Sequence, residues 1–85
     1  MSSYSVEFTT PAKRELKKLP KPARDAFVTK IKALQADPRP IGAIKMKGFT
    51  SVWRIRVGTH RVIYEINDGL VLVTVIRASF IRWKR

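Results

Sequence analysis

Cysteine is absent from this chain, histidine occurs once, and acidic residues number only six in 85. Without cysteine there is neither a disulfide framework nor a thiolate metal site. One histidine argues against a zinc or histidine-rich centre, so no metal and no small-molecule cofactor is expected. Long apolar runs are missing too. The longest is LVLVTVI, residues 70–76, far short of the roughly 20 residues that a membrane span needs. The opening MSSYSVEFTTPAK lacks the apolar stretch of a secretory leader. The expected location is the cytoplasm, with no membrane association.

What the chain has in excess is positive charge. Lys and Arg total 18, giving a formal net charge of +12 and a pI near 11.0. Such a balance implies a polyanionic or strongly acidic partner, most often nucleic acid. Hydrophobic and charged contents of 45% and 28% are those of a folded protein rather than a disordered one. The length leaves room for one small domain, residues 1–85, burying roughly 60–65% of its unfolded surface.

Local patterns divide the chain into a helical first half and a strand-rich second half. YSVEF, residues 4–8, alternates like a short strand. Thr10 followed by Pro11 predicts a helix start, with a hydroxyl cap and a proline whose missing N–H is not needed there. Ala12, Leu16 and Leu19 then recur at helical spacing among Lys13, Arg14, Lys17 and Lys18. LPKP at 19–22 breaks that helix. Phe27, Ile31 and Leu34, extended by Ala23, predict a second helix, which DPRP at 37–40 stops. The lysines between the apolar positions belong on a solvated outer face, where they are also placed to assist a phosphate backbone.

From residue 52 the period becomes two. Gly58-Thr59 suits a two-residue hairpin turn with glycine first, and Asn67-Asp68-Gly69 signals a second hairpin. The expected fold is α+β, in the order β-α-α-β-β-β, with a helical hairpin packed on one face of an antiparallel sheet. No internal repeat or linker interrupts it.

The hairpin VWRIRVGTHRVIYEI, residues 52–66, places its arginines unusually. With Gly58 and Thr59 as the loop, Val57 faces His60, Arg56 faces Arg61, Ile55 faces Val62, Arg54 faces Ile63 and Trp53 faces Tyr64. One face carries Trp53, Ile55, Val57, Val62 and Tyr64, and is the core face. The other carries Arg54, Arg56 and Arg61. Two arginines directly opposite each other destabilise a sheet, which suggests that an anion is expected on this face. Glu65, diagonal to Arg54, is placed to pair with it. Lys45 and Lys47 of KMKGF precede the hairpin, while Arg77, Arg82, Lys84 and Arg85 crowd the end of the chain. Arginine forks and lysine point charges of this kind hold phosphates. Trp53 and Tyr64 fall on the core face, leaving Trp83 as the better stacking candidate.

The string WRIRVGTHRVIYEINDGLVLVTVIR, with LPKP, DPRP and KMKGF upstream, resembles the RelE/ParE superfamily of toxins from bacterial type II toxin–antitoxin systems. The resemblance covers nearly the whole chain and looks more like the RelE branch. It implies a metal-independent, ribosome-dependent mRNA endonuclease that blocks translation and is neutralised by a cognate antitoxin. Operator DNA would be met only through the antitoxin complex. In the ParE branch the implied target is DNA gyrase instead.

Carried over by position, Arg54 and Arg56 stand for the family's basic strand residues. Arg61 stands for its phosphate-contacting arginine, and Lys47 for the basic residue before its glycine. Cleavage through a 2′-hydroxyl also needs a base and an acid. Arginine is ill suited to accept a proton; His60 and Glu65 are the candidates for the base, with His60 at the rim of the opposite face. The tail RASFIRWKR departs from the family pattern of a catalytic arginine followed by tyrosine or histidine. Arg77 or Arg82 is the substitute for the arginine and Trp83 for the aromatic. A third reading follows, in which cleavage is weakened and the chain acts only by binding.

Overall fold

The computed structural model describes residues 3–80, in the order β1 (Ser5–Phe8), α1 (Thr10–Lys18), α2 (Lys21–Ala36), β2 (Ile44–Lys45), β3 (Val52–Val57), β4 (His60–Asn67) and β5 (Leu72–Phe80). The strands form one sheet in the order β1-β5-β4-β3-β2. The helical hairpin covers one face, as expected. Two features go beyond the expected antiparallel meander. β1 pairs with β5 in parallel, Ser5 to Leu72 through Phe8 to Val75, and the two-residue β2 adds an edge strand beside β3.

Each helix starts for a local reason. The cap of α1 is Thr9 rather than Thr10, because only the Thr9 hydroxyl lies where it accepts the Ala12 N–H, at 3.2 Å. That same hydroxyl donates to the Ile76 carbonyl at 2.7 Å, tying the helix start to β5. Proline at the start of each helix gives up no needed donor. α2 ends at Ala36 with Asp37 in extended geometry, before Pro38 and Pro40.

The core lies between the helices and the sheet. Ala12, Phe27, Ile31 and Leu34 come from the helices, and Ile55, Val62, Tyr64, Ile66, Val73, Val75 and Ala78 from the strands. No polar or charged residue besides Tyr64 is buried among the described residues. The Tyr64 hydroxyl is satisfied: it donates to the Pro38 carbonyl at 2.7 Å, and burial pushes its phenol up to about 12.

Tyr64 thus anchors the DPRP segment to the sheet. Arg39 from the same segment forms a two-pronged bond to Asp68, with Nη2 at 2.8 Å from Oδ2, and lies 5.7 Å from the centre of the Trp53 ring. Tyr4 donates to the same carboxylate at 2.7 Å. The Arg39 guanidinium and then the Tyr4 hydroxyl hold the Asp68 carboxyl below its ordinary range.

The loop after β4 also differs from expectation in detail. Leu70 donates its N–H to Asn67 Oδ1 at 3.0 Å, and the left-handed position is Val71, at φ 52°, rather than Gly69. A β-branched residue is strained there. Between β4 and β5 the register slips by one: Ile63 faces Arg77 but Tyr64 faces Val75. Ile76 is therefore the extra residue of a β-bulge, and its carbonyl is the one that Thr9 takes up.

Candidate nucleic-acid interface

The β3–β4 hairpin forms with the register that its sequence predicts. Val57 faces His60, Arg56 faces Arg61, Ile55 faces Val62, Arg54 faces Ile63 and Trp53 faces Tyr64. Gly58 makes the turn possible, since its φ of +60° suits glycine and few other residues. Ile55, Val62 and Tyr64 are buried against the helices, so Arg54, Arg56 and Arg61 project from the opposite face.

Two cross-strand rows organise that face. One runs Arg54, Ile63, Arg77; the other sets Arg56 opposite Arg61. The bulge is what brings Arg77 into the first row, because strict alternation after Val75 would turn it inward. Arg54 and Arg56 are exposed, and Arg61 is half-buried between its neighbours. Arg61 Nε is shielded from solvent and has no hydrogen-bond partner. A buried donor left without a partner costs on the order of 1–3 kcal/mol, and a like-charged neighbour across the strands adds a few tenths more.

The other candidates divide between the two faces. Glu65 lies on the arginine side and is exposed. It does not pair with Arg54; among the described residues its partner is the Ser51 hydroxyl, which donates to Oε2 at 3.3 Å. His60 sits on the helix side, with its ring edge-on to Phe27 at 5.5 Å and Thr59 Oγ1 at 3.4 Å from Nδ1. Trp53 is half-buried on that side beneath Arg39. Lys45 faces Trp53 across β2–β3, which places it at the helix-side rim, whereas Ile44 faces Arg54. Lys47 is exposed in the following turn. Arg82, Trp83, Lys84 and Arg85 lie outside the described residues.

Arg77 has a partner that its sequence position does not reveal. Its guanidinium grips Glu15 of α1, with Nη2 to Oε2 at 2.7 Å, and the Ala78 N–H donates to Glu15 Oε1 at 2.8 Å. This carboxylate, drawn below its ordinary range chiefly by Arg77, clamps α1 to the part of β5 that extends past β1. The only sequence signal for it was one acidic residue in a basic helix. No group of three or more His, Cys, Asp or Glu among the described residues is arranged to hold a metal ion.

This arrangement has known counterparts. The ParE toxin family of type II toxin–antitoxin systems matches residues 6–80. The chain is a type II toxin of the RelE/ParE superfamily. Toxin RelG of Mycobacterium tuberculosis is 33% identical over 77 residues, covering 89% of this chain and 88% of its own. Two solved structures share the fold. One is the RelBE2 toxin–antitoxin complex of Mycobacterium tuberculosis, at TM-score 0.82 and 32% identity, covering 95% of this toxin and 94% of that chain. The other is the intact Escherichia coli RelBE toxin–antitoxin complex, at TM-score 0.83 and 25% identity, covering 95% and 100%. The resemblance read from the central motif is therefore a family membership, and the toxin shares its scaffold with both.

Proposed function

We propose that this toxin is a metal-independent endonuclease of mRNA engaged on the ribosome, and that it acts through the arginine face. The observation that carries this reading is Arg61, whose shielded, unpartnered Nε lies directly across from Arg56 on an open sheet face. A bridging phosphate would answer the like-charge contact and offer an acceptor for the donor. In cleavage, the 2′-oxygen attacks the adjacent phosphorus, a cyclic phosphate forms and the 5′-oxygen leaves with a proton. Guanidinium groups at Arg54, Arg56 and Arg61 would stabilise the charge of the pentavalent intermediate. Glu65 is the base candidate that shares this face, whereas His60 lies against Phe27 on the other. Relatives crystallised as RelBE complexes support a cognate antitoxin as partner. Exposed Ile41, Ile44 and Phe49 provide apolar surface for one beside the lysines at 45 and 47.

Primer extension on programmed ribosomes, with ribosome-free RNA alongside, tests the reading. New cuts should appear only with ribosomes and should fall at least about 100-fold when Arg56 and Arg61 are both replaced by alanine, as expected for lost transition-state contacts. Toxicity unchanged in that variant would remove the arginine face as the active surface.

One observation favours a second reading. The matching family description is that of ParE, the branch in which gyrase inhibition is expected, and inhibition by binding needs no catalytic base. Growth arrest accompanied by DNA damage while translation continues would put gyrase in place of mRNA.

A further inference from the structure

The arginines on the open sheet face are not held alike. Arg54 and Arg56 are exposed and make no ion pair among the described residues. Arg77 is fixed. β1 pairs with β5 only as far as Val75, so Arg77 stands where that edge of the strand is open, and its side chain reaches α1. There Glu15 accepts from Nε at 3.1 and 3.2 Å and from Nη2 at 2.7 Å. The carboxylate is itself pinned, because its Oε1 takes the Ala78 N–H at 2.8 Å. The Glu15 side chain is 23% exposed and that of Arg77 is 52% exposed. Glu15 is therefore the anchored member, and the guanidinium follows it.

A guanidinium has two edges that can match an oxyanion with parallel N–H groups. One edge is Nε–H beside an Nη2–H, and Glu15 occupies it. The other edge, Nη1–H beside the remaining Nη2–H, has no partner among the described residues. Arg77 also belongs to the arginine side of the sheet. It lies opposite Ile63 in the row that begins with Arg54, while the next residue, Ala78, is buried on the helix side. A planar fork that is already oriented loses little side-chain freedom on meeting a phosphate. Arg54 and Arg56 must give up that freedom when they bind.

We propose that Glu15 is a positioning residue: by occupying one edge of Arg77 it aims the other at a phosphate of RNA laid across the arginine face. The choice of RNA rests on the endonuclease reading above; the fixed fork does not. This contact sets where the strand lies along the sheet, and so which phosphate meets Arg56 and Arg61.

The test is binding of the full chain to a single-stranded 2′-O-methyl RNA, whose blocked nucleophile keeps cleavage out of the measurement. Plain electrostatics and positioning give opposite signs for Glu15→Gln. The change removes a negative charge and by itself tightens binding to a polyanion, whereas a lost clamp weakens it. The expected result is binding about 5-fold weaker, against about 10-fold weaker for Arg77→Gln. The two changes together should bind no worse than Arg77→Gln alone, since Glu15 acts through that arginine. A role confined to folding would add its loss to that of Arg77→Gln instead. Unchanged or tighter binding in Glu15→Gln overturns the proposal, and tighter binding would mean that Glu15 withholds Arg77 from RNA. Additive losses overturn it too. Ribosome primer extension with the unaltered chain is a separate readout, so this binding pattern without cuts in mRNA would fail the endonuclease reading alone.

Discussion

At Arg61 stability and binding pull in opposite directions. Its backbone is locked in the middle of the sheet by pairing to Arg56 on one side and Ser79 on the other, while its guanidinium Nε lacks a partner. Relieving the repulsion should therefore strengthen the fold and weaken the activity. Arg56→Thr, a strand-favouring neutral residue, should raise stability by about 0.5 kcal/mol in urea melts. The same variant should cut mRNA at least about 10-fold more slowly if a charge-assisted phosphate contact is lost. Loss of stability instead would mean that Arg56 packs in the free protein and is not waiting for an anion. The placement of this residue was legible from the chain alone, since a turn at Gly58-Thr59 determines every pair that follows. What could not be read was the state of Glu65. A diagonal neighbour in a sheet competes with any hydroxyl at hand, and Ser51 is such a hydroxyl.

Among the elements, α1 is joined to β5 by two polar contacts, one at its N-terminus and one from its middle, as well as by apolar packing. Thr9 makes the first, capping the helix and satisfying the bulge carbonyl with one hydroxyl. Thr9→Val keeps the shape and removes both bonds, and should cost about 2 kcal/mol in denaturant unfolding. Glu15 makes the second. Its side chain is 23% exposed and that of Arg77 is 52% exposed, so the pair is worth about 1 kcal/mol rather than a buried-pair value. Its pH dependence has a definite sign. The folded-state value is depressed below the ordinary 4.5, so the stabilisation is complete above that value and is lost as pH falls through the folded one. Thermal melts of the native chain and Glu15→Gln should differ by a constant amount at neutral pH and converge as the solution is acidified past the lowered value of Glu15. The helices themselves were readable from apolar spacing and proline. These two contacts were not, because they join residues more than 60 positions apart.

For the whole molecule, charge is the dominant long-range term. A net +12 on a chain of 85 residues repels itself, and the three ion pairs among the described residues engage few of its cations. Adding salt should therefore raise the melting temperature between about 20 and 300 mM, as the screening length shortens. RNA affinity should fall steeply over the same range. A flat melting response would show that the cations already sit far enough apart to ignore one another. The composition raised the expectation of an anionic partner, and the central motif made the family legible. The parallel pairing of β1 with β5 and the short β2 were not visible, since each depends on contacts between distant segments rather than on a local period.

The bulge at Ile76 changes the parity of β5. Along β5 the inward residues are odd-numbered up to Val75 and even-numbered from Ala78. A single inserted residue has re-phased the strand. Deleting Ile76 would restore unbroken alternation, with Val75 inward, Arg77 outward and Ala78 inward as before, and would remove the carbonyl that Thr9 takes up. An insertion nearby would add a second phase change. What the extra residue supplies is therefore a carbonyl that fastens α1 to the sheet, and its removal should loosen that helix while leaving the arginine rows in place.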